Sequence, residues 1–196
     1  MVPPECGTNK AMTRRSDPRT PPPPLDERHL RELALRYVGR FATTRMRLVQ
    51  YLQRKLRERG WNGAGDPALA SLAEQLAGLG YIDDEAYATA KGQALGRRGF
   101  GKRRVTAALR QAGIDEDDGR VACEHADAGA LVAAVRFAQR KRLGPFAIVA
   151  PNPRQRDKAL AALLRAGHPF DLARRLLDLP AGTSADPDVI VRLLVN

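Results

Sequence analysis

The chain has 196 residues, with 33 Lys and Arg against 22 Asp and Glu and hence a net charge of +11, a balance that favours an anionic partner such as nucleic acid. No apolar run approaches the roughly 20 residues of a membrane span, and the first residues, with Pro3, Pro4 and scattered charges, lack the apolar stretch of a secretory signal; a soluble, cytoplasmic protein with no membrane contact is expected. Cys6 and Cys123 make no disulfide framework, and His29, His125 and His168 lack the short recurring spacing of zinc ligands, so no metal and no cofactor are expected.

Residues 1–24 end in Pro21-Pro22-Pro23-Pro24 and read as a disordered arm with a stiff polyproline end. From Leu25 onward the pattern is helical. Leu30, Leu33, Ala34, Tyr37 and Phe41 share one face of a first helix. Leu48, Tyr51, Leu52 and Leu56 mark a second, stopped by Gly60. Asp66-Pro67 supplies an N-cap and a proline at the first position of a third, which is buried through Leu69, Leu72, Ala73 and Leu76 and ended by Gly80.

The order then recurs. Asp83-Asp84-Glu85 places acids at a helix start, where the dipole favours them, with Tyr87, Ala90 and Ala94 on the inner face. The turn from Gly96 to Gly101 leads into a helix buried through Val105, Ala108, Leu109 and Ala112 and closed by Gly113. Asp115 opens the next helix, through Val121 and Ala122. A third pass begins near Gly129 with Leu131, Ala134, Val135 and Ala138, then crosses a longer loop holding Pro145, Pro151 and Pro153. Leu160, Leu163 and Leu164 lead to Gly167, and Phe170, Ala173 and Leu177 make the last face. In the tail from Ala181, Asp186-Pro187 followed by Ile190, Val191, Leu193 and Leu194 reads either as a short packed helix or as a partner-binding segment.

The closing glycines Gly60, Gly113 and Gly167 are 53 and 54 residues apart. Four residues before each stands Leu56, Leu109 or Leu163, and eight before stands Leu52, Val105 or Ala159. A near-constant period of this length is the mark of a modular helical array. The fold expected is all-α, with three tandem three-helix units over 25–80, 81–129 and 130–180 and a tail over 181–196. Units of ~25 Å diameter in a row would span ~75 Å, a shape suited to a filament or duplex.

The charge is unevenly placed. From Lys91 to Arg110 there are seven basic residues and no acid, and from Asp115 to Asp127 six acids and one arginine. For any single arginine a solvated surface is explanation enough; seven consecutive like charges interrupted by Gly99 and Gly101 point to a contact surface. Catalytic signatures are missing. Gly99-x-Gly101 lacks both the rest of a phosphate-binding loop and a preceding strand, no GxSxG elbow occurs, and the acid clusters are better explained as helix starts than as divalent-ion sites. A non-enzymatic protein is expected.

Leu79-Gly80-Tyr81-Ile82-Asp83-Asp84-Glu85-Ala86-Tyr87-Ala88 resembles a motif of the RecX family. So does Arg97-Arg98-Gly99-Phe100-Gly101-Lys102-Arg103-Arg104-Val105, ending in Leu109-Arg110-Gln111-Ala112-Gly113-Ile114. Arg140-Lys141-Arg142-Leu143-Gly144-Pro145-Phe146 and Leu163-Leu164-Arg165-Ala166-Gly167-His168 are similar to that family's third unit, and the resemblance covers roughly residues 28–179. Lys102 stands where the family commonly has a proline, and the loop from Gly144 to Pro153 is long. The resemblance implies an elongated, curved array lying along the RecA nucleoprotein filament. Such a protein is an inhibitor of RecA ATPase, strand exchange and co-protease activity in recombination, DNA repair and the SOS response, acting on filament growth or disassembly.

The surface expected to meet RecA and single- or double-stranded DNA comprises Arg97, Arg98, Phe100, Lys102, Arg103, Arg104 and Arg110, with Arg140, Lys141, Arg142, Arg154, Arg156 and Lys158, on a monomer. Phe100 suits partner docking and a core position about equally. A rival is a helix-turn-helix-like DNA-binding protein reading a groove with Lys102–Ala112. That helix carries only Gln111 for bidentate contact to adenine, which disfavours sequence-specific reading. A second rival is a helical adaptor that binds protein alone.

Overall fold

A computed structural model describes residues 23–195; the expected arm, apart from Pro23 and Pro24, lies outside the described residues. The helices are α1 (Glu27–Val38), α2 (Arg45–Arg59), α3 (Leu69–Gly78), α4 (Asp84–Arg97), α5 (Lys102–Gln111), α6 (Glu116–Ala128), α7 (Ala130–Lys141), α8 (Pro153–Arg165), α9 (Phe170–Asp178) and α10 (Pro187–Val195). A 3-10 turn, Gly144–Phe146, stands between α7 and α8. Among the described residues there is no strand, only a parallel bridge of Leu25 with Trp61. The all-helical expectation holds.

Three apolar cores follow one another along the chain. Leu30, Leu48, Leu52 and Leu76 centre the first, Ala88, Val105, Leu109 and Ala122 the second, and Val135, Phe137, Leu163 and Leu176 the third. Ile190 and Leu194 of α10 join that third core, α10 lying against α7. The tail therefore forms a packed helix.

Local readings differ at four places. Phe170, expected on the last inner face, stands half exposed at the start of α9, where Ala173, Leu176 and Leu177 are buried. α1 stops at Val38, so Phe41, expected on its buried face, is exposed. α3 begins at Leu69 with Ala68 at the cap and no side-chain cap bond, so Asp66 does not cap it. The inner face of α4 is Ala88, Gly92 and Leu95 rather than Tyr87, Ala90 and Ala94, because an alanine-rich helix offers little contrast between its faces.

The glycine period has a physical origin. Gly113 and Gly167 adopt φ of 77° and 93°, open to glycine at no steric cost. Each closes its helix with a bond spanning the turn, from the Ile114 amide to the Leu109 carbonyl at 3.1 Å and from the His168 amide to the Leu163 carbonyl at 3.2 Å.

Each turn also docks on the preceding unit. Thr44, the N-cap of α2, accepts from the Arg47 amide at 3.2 Å and donates its hydroxyl to the carbonyl of Ala112, the C-cap of α5, at 2.6 Å. One unit on, the amide of Gly101, the N-cap of α5, donates to the carbonyl of Ala166, the C-cap of α8, at 2.9 Å. Added Cβ atoms on Gly113 and Gly101 would overlap Met46 and Gly167 respectively. The C-terminus of α8 thus meets the N-terminus of α5, and the C-terminus of α5 meets the N-terminus of α2, with dipoles head to tail.

The two outer ends of this column are closed locally. The Gly60 carbonyl accepts from the Leu25 amide at 3.0 Å. At the start of α8, Asn152 and Gln155 exchange backbone-to-side-chain bonds of 2.9 Å in a capping box.

Candidate functional site

Lys102, Arg103 and Arg104 open α5, whose first turn holds no acid and whose N-cap offers no side chain. Val105 and Leu109 anchor the opposite face in the second core, which turns the three cations out to solvent. Cations at a helix N-terminus oppose its dipole, a local conflict that makes this turn a candidate binding surface. Lys102 is partly neutralised by Asp127 at 2.8 Å, a hydrogen bond that also holds its ammonium above the usual lysine range. Arg103 and Arg104 have no acidic partner among the described residues.

Next to this turn, residues distant in sequence converge. The Arg98 guanidinium lies 5.3 Å from the centroid of the Phe100 ring, and Arg140 of α7 lies 5.8 Å from it and 5.5 Å from Phe137. Phe100 packs on both the second and the third core, so its ring fills the seam between units and carries two cations. Arg97 shares a cleft of about 300 Å³ with Arg136, which sequence reasoning passed over because nothing in the alanine-rich α7 marks its outward face.

Under the seam His168 is 0% exposed. Its Nε2 is 3.0 Å from the Gly99 carbonyl oxygen, and its Nδ1 has no partner among the described residues. Burial holds this imidazole below its ordinary range, against the opposing pull of the Gly99 bond.

The remaining candidates stand elsewhere. Arg110, at the far end of α5, pairs with Glu116 at 3.5 Å. Arg156 donates to the Leu177 carbonyl at 2.7 Å and pairs with Asp178, which ties α8 to α9. Arg142 caps α7 with φ 53°, a left-handed conformation that costs a non-glycine residue about 1 kcal/mol, and it shares a cleft of about 230 Å³ with Arg156. Arg154 and Lys158 are exposed on the first turns of α8, and that helix is roughly 20 Å long. The cations therefore form two patches, one at the start of α5 and one at the start of α8, with exposed Arg140, Lys141 and Arg142 at the end of α7 between them.

The acids have a different use. Asp83 and Asp115 cap α4 and α6 by accepting from the amides of Ala86 at 2.7 Å and Asp118 at 2.8 Å. Asp84, with its side chain 4% exposed, and Asp118 pair with Arg45 of the first unit at 2.9 and 2.6 Å. Glu74 joins at 3.4 Å. The hydrogen bond with Asp84 raises the Arg45 guanidinium above its ordinary range. Burial, then Asp115, push the Asp118 carboxyl up in spite of Arg45. Beside this network Arg47 donates to the Tyr87 hydroxyl. No sequence signal links Arg45 to these acids.

Helical units joined end to end, with basic helix starts exposed along them, define a helical-repeat protein. No protein-family model matches the chain. It is 35% identical over 161 residues to the regulatory protein RecX of Myxococcus xanthus, covering 76% of this chain and 84% of that one. To the RecX of Agrobacterium fabrum it is 26% identical over 147 residues, covering 73% and 78%. A crystal structure of regulatory protein RecX superposes with a TM-score of 0.61 at 19% identity over 78% of this chain and 71% of that one. That of RecX from Lactobacillus salivarius gives 0.54 at 19% over 76% and 94%. The chain belongs to the RecX family of regulatory proteins. Among the described residues no helix is long and apolar enough to cross a membrane.

Proposed function

We propose that this protein binds the RecA–DNA filament as a monomer in the cytoplasm and inhibits RecA ATPase, strand exchange and co-protease activity, by limiting filament growth or promoting disassembly. The observation that carries the reading is the exposed start of α5, whose own first turn holds no acid and whose Arg103 and Arg104 follow closely in the chain on Phe100, the ring that carries Arg98 and Arg140. Guanidinium groups on an array of successive units suit a repeating phosphate backbone. Family membership supplies the regulatory role. A groove-reading use of α5 is disfavoured, since that helix carries only Gln111 for bidentate contact to adenine.

The test is DNA-stimulated RecA ATPase turnover with substoichiometric protein added. Inhibition well below one copy per RecA subunit is expected, and Arg103→Glu with Arg104→Glu should abolish it without unfolding the chain. No effect even at excess would leave a basic helical DNA-binding protein as the better account. Inhibition unchanged by the double substitution would remove α5 from the contact surface.

A further inference from the structure

We propose that the first unit carries a separate site for an unpaired base of single-stranded nucleic acid, built on Tyr37, Phe41 and Tyr51 and flanked by Arg36, Arg40 and Arg54. These six residues line an open cavity of about 490 Å³ with no acidic side chain in its wall. The volume falls within the ~300–1,000 Å³ of clefts that take small-molecule-sized ligands. Nothing in the basic patches of the second and third units bears on this site.

The local fold exposes the ring that does the binding. Heptad-like spacing would put Phe41 beneath Tyr37 on α1, but the helix ends at Val38. The amides of Arg40 and Phe41 both fold back on the Tyr37 carbonyl, at 3.2 and 3.0 Å, and Phe41 is left 52% exposed. Tyr37 is held from below by Tyr51, their rings stacked at 4.2 Å and 15°, and Phe41 sits 5.4 Å from Tyr37 at a 50° tilt. Tyr37 and Tyr51 pack against the first core, and the exposed Phe41 ring extends them outward as a stacking platform.

The cations are arranged around this platform. Arg40 lies 5.9 Å from the Phe41 centroid and Arg54 lies 5.5 Å from that of Tyr51. Arg54 has one weak contact with Glu58 at 3.7 Å, but that carboxylate bonds Lys55 at 2.6 Å. Arg36 uses its Nε on the Glu32 carbonyl at 3.3 Å, which leaves its terminal nitrogens for an incoming acceptor. A flat ring attached to a phosphate satisfies both halves of such a site. Stacking on aromatic faces is tolerant of base identity and strong enough to measure. Bases in a duplex already stack on each other, so the matching ligand is a single strand.

The experiment measures binding of the full chain to labelled oligothymidine of about 15 nucleotides, to a duplex of equal length and to an abasic strand of equal length. Phe41→Ala is expected to weaken oligothymidine binding about tenfold and leave duplex binding and thermal stability unchanged. Phe41→Trp should restore it. Wild type should bind the abasic strand about tenfold more weakly than oligothymidine, a preference that Phe41→Ala erases. Unchanged binding by Phe41→Ala overturns the proposal, as does an equal loss on the abasic strand or the duplex. RecA ATPase inhibition is read separately with the Arg103 and Arg104 substitutions, so the base site and the filament reading can fail independently.

Discussion

The hydroxyl of Thr44 donates to the carbonyl of Ala112 at 2.6 Å while accepting the amide of Arg47. One buried side chain thus caps the helix of its own unit and receives the last turn of the next. Thr44→Val keeps the shape and loses both bonds, so it should destabilise the chain by about 2 kcal/mol, whereas Thr44→Ser should cost well under half of that. Urea denaturation compares the two. Equal stability would mean that the hydroxyl does not hold the junction.

Arg45 joins α2 to Asp84 and Asp118, and its removal leaves the Asp84 carboxylate buried without a counter-charge. Arg45→Ala is expected to cost about 3 kcal/mol. Arg45→Met combined with Asp84→Leu should recover part of the loss, because it removes the desolvation of the buried Asp84 carboxylate along with the attraction. The double variant proving as unstable as the single one would assign the cost to packing.

His168 makes stability depend on pH in a definite direction. Its unfolded imidazole titrates near about 6.5, and burial lowers the folded value. Between the two the unfolded chain binds a proton that the native chain does not, so stability falls as pH drops below about 6.5 and stops falling once the native imidazole protonates. The melting temperature of wild type should therefore decline on acidification through this window. In His168→Gln, whose amide can still donate to the Gly99 carbonyl, that part of the decline should vanish. A parallel decline in both proteins would assign the effect to the carboxylates.

If Arg103 and Arg104 meet phosphates, replacing both with alanine should lower the magnitude of the salt slope of DNA binding by about two counterions. Arg156→Ala, which removes the bonds from α8 to Leu177 and Asp178, should lower stability with a smaller change in slope. Fluorescence anisotropy over a salt series with denaturation in parallel separates the two roles. Identical slopes for wild type and the Arg103 and Arg104 double variant would exclude phosphate contact there.

The repeat was legible in the sequence because Gly113 and Gly167 answer a backbone requirement that few other residues meet. The run from Arg97 to Arg104 was legible because like charges without acids are rare by design. The meeting of Arg98 and Arg140 over Phe100 depends on how two units abut, and no local pattern carries that. Asp83 and Asp84 make the same point at closer range: identical neighbours, one a cap and one a buried ion-pair partner, distinguished only by Arg45 on another helix. Phe41 escaped because periodicity does not announce where a helix stops.

The bonds that finish the outer ends of α2 and α8 act as chain terminators. Leu25 occupies the Gly60 carbonyl, and the amides of Asn152 and Gln155 are each taken by the other's side chain, so these groups are not offered to a further copy. A repeating joint of this kind would otherwise be a polymerisation interface, since a head-to-tail contact that does not close on itself grows into a fibre. Under the proposed function, a chain whose joints end in this way would lie along a polymer made by other subunits without extending its own column.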